Sequence, residues 1–268
     1  MSVSDPYSQE IMLPCITDKM FRIELLLEDH YFGRIISGEV KMVVADRTIT
    51  LNAGETFFCP RNQLATFIKL PKDGQPYKSV MILLKTERLK AYYSRHDSMP
   101  GEGNNAGFRF FADHPLLDSL FGSLLPYFGY DGDIPAPVIA VKIEEAITVL
   151  RTLDKRIDSV LANFSEPGKI DLVDFMEKNF MFNMPLQKFA YMTGRSLTTF
   201  KTDFRKSFHT SPQRWLTRKR LELANYQLRE QQRKPVDVYL EAGFENLSHF
   251  SFAFKKHFGY GPRDVISS

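Results

Sequence analysis

Two stretches of this chain, about fifty residues apart, carry the same short pattern, and no other feature limits the fold as much. In the first, a short helix that starts at Leu186 holds the small residue Ala190 where a second helix must cross closely. Gly194 follows and admits the left-handed backbone of a tight turn, and Ser196 is an N-cap. Phe200 and Phe204 then lie one turn apart on the inner face of the next helix. In the second stretch an apolar helix over 238–242 leads to Gly243-Phe244, and Phe250 and Phe254 repeat the aromatic pair. Helix, glycine turn and helix with one buried face is the physics of a helix-turn-helix. Between the copies, residues 212–224 read as a helix with an apolar stripe at Trp215, Leu216 and Leu223, continued by Leu228 beyond it, and a basic face.

Charge follows the same division. The net charge of +3 over 268 residues looks uninformative. Yet residues 165–268 hold 17 basic and 11 acidic side chains, and residues 1–164 hold 18 and 21. That asymmetry points to nucleic acid or another acidic surface as partner of the C-terminal part. Within 186–220 there are nine cations (Lys188, Arg195, Lys201, Arg205, Lys206, Arg214, Arg218, Lys219, Arg220) against one acid, Asp203. The expected domains are 1–164 and 165–268, joined by a Pro-Gly linker over 163–169.

The N-terminal part reads differently. Phe21, Ile23, Leu25 and Leu27 alternate, as do Val40, Met42 and Val44, with turn signals between the runs. The stretch from Gly38 to Pro60 resembles the core of a small cupin-type β-barrel. Asp113 is expected to cap a helix that begins at Pro115, and the apolar spacing from Ile139 to Leu161 predicts one long amphipathic helix or two in series. Residues 98–107 read as a Gly- and Asn-rich loop. Cys15 and Cys59 read as buried thiols of a reducing compartment, and the polar first ten residues lack the apolar run of a signal peptide. His30 is the one histidine between residues 21 and 84, which argues against a cupin metal site, and no catalytic motif stands out. His30, Tyr31, Cys59 and Arg61 are the candidates for a ligand pocket.

Residues 180–265 resemble the DNA-binding domain of the AraC family of bacterial transcription regulators. The matching marks are Trp215-Leu216, Arg220-Leu221, Ala224, Gly243-Phe244, Ser248, Phe250-Ser251, Phe254-Lys255-Lys256, Phe258-Gly259 and Pro262. The resemblance implies an α+β two-domain protein: an N-terminal cupin-like β-barrel with flanking helices, then an all-α domain with two helix-turn-helix motifs. Its core residues would be Ala190, Gly194, Phe200, Phe204, Trp215, Arg220, Ala224, Gly243, Phe244, Phe250, Phe254, Gly259 and Pro262. Base-facing positions would be Thr198, Lys201 and Thr202, then Ser248, Ser251 and Phe252. Phosphate contacts fall to Arg195, Ser196, Arg205, Lys206, Asn246, Lys255 and Lys256. Three departures from the family pattern stand out. Thr202 and Phe252 occupy positions where many members carry Arg, which predicts weaker or A·T-biased readout, with packing as the other role open to Phe252. Tyr239 stands where the first motif has Ala190, which predicts a splayed second motif or one held through backbone contacts.

The implied function is a cytoplasmic, sequence-specific transcription regulator whose partner is double-stranded DNA. It would be modulated by a small molecule or a protein at the barrel. A second copy of the chain, and RNA polymerase for an activator, complete the expected partners, with no cofactor, metal or membrane. The alternative is a cupin-type binding protein or enzyme with an appended helical domain.

Overall fold

The structure, a computed structural model, describes residues 10–16, 19–45, 47–98, 107–129, 134–244 and 246–265. Most of the loop expected at 98–107, and Asp46 of one expected turn, lie outside them. The chain divides into two compact units, Met1–Ser165 and Glu166–Ser268.

The first unit is built on two antiparallel sheets. Its strands are β1 (Ile11–Met12), β2 (Cys15–Ile16), β3 (Phe21–Leu27), β4 (His30–Ser37), β5 (Glu39–Val43), β6 (Thr48–Asn52), β7 (Thr56–Cys59), β8 (Gln63–Leu70), β9 (Tyr77–Leu84) and β10 (Arg109–Phe111). One sheet runs β1-β9-β4-β7-β10, with β2 also on β9, and the other runs β3-β8-β5-β6. Leu27, Ile35, Val40, Met42, Leu51, Phe57, Phe67 and Met81 fill one core with residues of both sheets. The opposite face of the larger sheet, with Phe32, Phe58, Val80 and Ile82, is covered by helices. These are α1 (Thr86–Tyr93), α2 (Pro115–Gly122), α3 (Ala136–Leu153) and α4 (Asp158–Leu161). A sheet covered on both faces loses the polar half of its alternation, which is why all four residues of β7 are buried.

Two local expectations need correction, and one pair of alternatives is decided. The cap of α2 is His114, whose Nδ1 accepts the Leu116 N–H, because Pro115 at the first helical position makes its predecessor the cap. Residues 139–161 form two helices in series, α3 and α4. Cys15 is exposed, so only Cys59 is a buried thiol.

The second unit is helical: α5 (Leu172–Asn179), α6 (Leu186–Met192), α7 (Leu197–Phe208), α8 (Pro212–Arg229), α9 (Pro235–Glu241) and α10 (Leu247–Phe258). The central helix α8 packs against α7, α9 and α10. Its first turns belong to one core, where Trp215 meets Phe204 at 5.6 Å and Phe208 at 4.7 Å between ring centroids. Its later turns supply Leu221, Ala224 and Leu228 to another core, with Val238, Ala242, Phe250 and Phe254. Leu223, placed in the stripe by spacing, is only half-buried, and Leu221 takes its place.

Candidate nucleic-acid interface

The two motifs are copies in detail. Helices α7 and α10 have twelve residues each. The Ser196 hydroxyl accepts the Thr199 N–H at 3.2 Å, and the Asn246 side-chain oxygen accepts the His249 N–H at 2.7 Å. Each helix ends on a left-handed residue, His209 (φ 53°) or Gly259 (φ 83°), and a proline, Pro212 or Pro262, stands three residues on. Phe200 and Phe204, like Phe250 and Phe254, are wholly buried. That fixes the rotation of both helices and turns Thr198, Lys201, Thr202 and Arg205, then Ser248, Phe252 and Lys255, into solvent, with Ser251 half-exposed. Phe252 is 69% exposed, so it does not pack within the unit. Thr199 and His249 are also exposed, at the margin of each face, and were not among the sequence-based candidates. A 100° step per residue from the buried Phe200 and Phe250 was the signal that could have included them.

The turns are tight for specific reasons. Gly194 has φ 63°, and a Cβ there would lie 2.4 Å from the Gly168 carbonyl carbon. Gly243 has φ 79°, and a Cβ there would lie 2.9 Å from Arg220 Nε. The same backbone bond closes each turn: Arg195 N–H to the Ala190 carbonyl at 3.0 Å, and Phe244 N–H to the Tyr239 carbonyl at 2.9 Å. A splayed second motif is therefore not what forms. Tyr239 stays half-buried at the margin of its core, and Val238 and Ala242 take the inner positions.

Arg195 and Arg220 are enclosed inside the unit, and Lys219 is also engaged there, 2.7 Å from Glu177. Arg195, expected on phosphate, has a side chain only 7% exposed. Its Nε donates to Asp203 at 3.0 Å, and Nη1 donates to the carbonyls of Ile170 and Thr193. This corrects the phosphate assignment, because a guanidinium enclosed by a carboxylate and carbonyls has no face to offer. The Arg195 guanidinium in turn holds the Asp203 carboxyl below the usual carboxylate range. Arg220 is buried and donates to the carbonyls of Phe180 (2.9 Å) and Phe182 (2.6 Å) and to Asn183 Oδ1 (3.3 Å). It joins the approach to α6 with Gly243 of the second motif. Lys201, Arg205, Lys206, Arg214 and Arg218 remain exposed in the first motif and α8, and Lys255 and Lys256 in the second.

The four pocket candidates of the first unit fall into two separate pairs, His30 with Arg61 and Tyr31 with Cys59. Neighbours on a strand point to opposite faces. His30 therefore stacks on Phe58 (5.4 Å), on the helix side, while Tyr31 and Cys59 belong to the core between the sheets. His30 Nδ1 accepts the Arg61 N–H at 3.0 Å, and burial lowers its pKa to about 3, so the ring stays neutral. The Arg61 guanidinium donates to the carbonyls of Asn163 and Ser165. Among the described residues, no group of three or more His, Cys, Asp or Glu side chains could hold a metal, and no helix is long and apolar enough to cross a membrane.

Comparison with known proteins assigns both units. A family model described as a helix-turn-helix domain matches residues 189–267, and one described as the ExsA N-terminal regulatory domain matches residues 30–166. The transcriptional regulator ExsA of Pseudomonas aeruginosa is 27% identical over 235 residues, covering 85% of this chain and 82% of its own length. The virulence regulon transcriptional activator VirF of Yersinia enterocolitica is 26% identical over 235 residues, covering 85% of each. Among solved structures, an apo variant of ToxT from Vibrio cholerae aligns over 97% of both chains, with 13% identity and a TM-score of 0.46. With the regulatory-domain model spanning just over half of the sequence and paired helix-turn-helix motifs behind it, the chain belongs to the AraC family and is a DNA-binding regulator of transcription.

Proposed function

We propose that α7 and α10 enter successive major grooves of one duplex. In this reading Thr198, Lys201 and Thr202 face the bases of one half-site, and Ser248, Ser251 and Phe252 face those of the other. Ser196, Arg205, Lys206, Asn246, Lys255 and Lys256 lie along the backbone. The observation that carries this is the matched pair of twelve-residue helices, each pinned by two buried phenylalanines and showing short polar side chains and cations on its free face, joined on α10 by Phe252. Each phosphate neutralised releases counterions, so affinity falls with salt. Anisotropy titrations of the full chain against its own upstream DNA test the reading. Binding should be tighter than to random duplex and fall steeply with salt. Equal affinity for both, flat in salt, refutes it.

The unit over 1–164 regulates that binding, and a protein partner suits it better than a small molecule inside the barrel. What supports this is the space between the sheets, which the protein's own side chains occupy. The chain acts in the cytoplasm as a regulator and not as an enzyme, with RNA polymerase as a further partner if it activates. A panel of metabolites that raised the unfolding temperature of the first unit would favour the small-molecule form instead. Sedimentation of the full chain reports whether a second copy joins.

A further inference from the structure

We infer that Phe252 reads the 5-methyl group of thymine, so that the second half-site is selected at one or two positions by a methyl contact rather than by hydrogen bonds. The inference rests on the DNA-binding arrangement proposed above and gives one of its positions a chemistry. Phe252 lies two residues from both Phe250 and Phe254, whose rings are wholly buried, so its own ring is directed away from the core. It is 69% exposed, on a helix whose start is fixed by the Asn246 cap. Its neighbours on that face are Ser248, Ser251 and Lys255. Fifty residues earlier the equivalent position is Thr202, which can donate and accept hydrogen bonds. A phenyl ring can do neither.

Among the base edges of the major groove, the thymine methyl is the feature that rewards an apolar contact; the other features are donors and acceptors. A ring placed over cytosine or adenine would desolvate an amino group without pairing it. Phe252 therefore favours thymine and disfavours its unmethylated counterparts. Ser248 and Ser251 tolerate either donor or acceptor and leave the methyl as the sharper signal.

The test uses the full chain and a duplex it selects from a randomised library. Each thymine of that duplex is replaced in turn by deoxyuridine, which lacks only the methyl. At one or two clustered thymines the wild type should lose about fourfold in affinity, the effect of one methyl removed from an apolar contact. Phe252→Ala should bind the thymine duplex about four- to tenfold more weakly and be indifferent to deoxyuridine at those positions. Phe252→Leu should keep part of the methyl effect. Phe252→Arg should move the preference there toward guanine. Because the side chain is exposed, all three variants should unfold at the wild-type temperature. The inference is overturned if the wild type ignores every deoxyuridine, if the selected sites lack clustered thymines, or if Phe252→Ala stays deoxyuridine-sensitive. Selective, salt-dependent binding without a methyl effect refutes this inference alone. Loss of selectivity and salt dependence in the wild type refutes the DNA arrangement itself.

Discussion

The turn before α7 is held by charge, and the turn before α10 by aromatic contact. Arg195 sits between Asp203 and the carbonyls of Ile170 and Thr193. At the corresponding place Phe244 packs on Phe250 at 5.2 Å and on His249 at 5.7 Å, and Ala253 stands where the first helix has Asp203. The second turn also has one more residue between its glycine and its cap. One helix geometry thus has two fastenings with different dependences on solvent. An ion pair answers to salt and acid, while the buried Phe244–Phe250 contact answers to neither in the ordinary range.

The sharpest way to break the comparison is to remove what the two motifs share. Arg220→Ala leaves buried carbonyls unpaired and should cost about 3 kcal/mol, lowering the denaturant midpoint of the second unit as a whole. Arg220→Lys should not restore it, since a point charge cannot meet three acceptors in a fork.

Alanine at each turn glycine comes next. Gly194→Ala meets the backbone of residues 168–169 as well as a left-handed φ, and should cost about 2–4 kcal/mol. Gly243→Ala meets chiefly the Arg220 side chain and should cost about 1–2 kcal/mol. The reverse order in chemical denaturation would mean that the first turn is the softer one.

Asp203→Asn should separate the fastenings. Amide exchange should speed up over residues 190–196 and stay unchanged over 239–244. In the wild type the lowered Asp203 pKa means that the pair contributes fully above about pH 4, the ordinary Asp value, and is lost as pH falls through the lower folded value. The first turn should therefore loosen in acid before the second.

The smallest effect lies at the helix ends. His209→Gly should stabilise by about 0.5–1 kcal/mol, because glycine accepts the left-handed cap more easily, and Gly259→Ala should cost about 1 kcal/mol. Thermal unfolding of the two variants measures both.

The second unit was legible because its information is local. Glycine, cap and aromatic pair lie within twenty residues of one another, and helical period alone sets which side faces out. What escaped was pairing at a distance. Arg195 reads as one more cation until Asp203 is seen one loop and two turns away, and Arg220 bonds to carbonyls some forty residues upstream. In the first unit, sequence proximity misled. His30 and Tyr31 are adjacent, and the strand pleat sends them to different cores. The strands β1, β2 and β10 are too short for a period to show.

Helix α8 also acts as a ruler. Its eighteen residues span about 27 Å at 1.5 Å per residue, and its two ends lie in the cores that hold α7 and α10. If both recognition helices dock on one duplex, neither can shift along it without breaking a packed core. A base pair inserted between half-sites moves one of them about 3.4 Å and turns it by roughly a tenth of a helical turn. Operators for this chain should then tolerate changes of letter far better than changes of spacing.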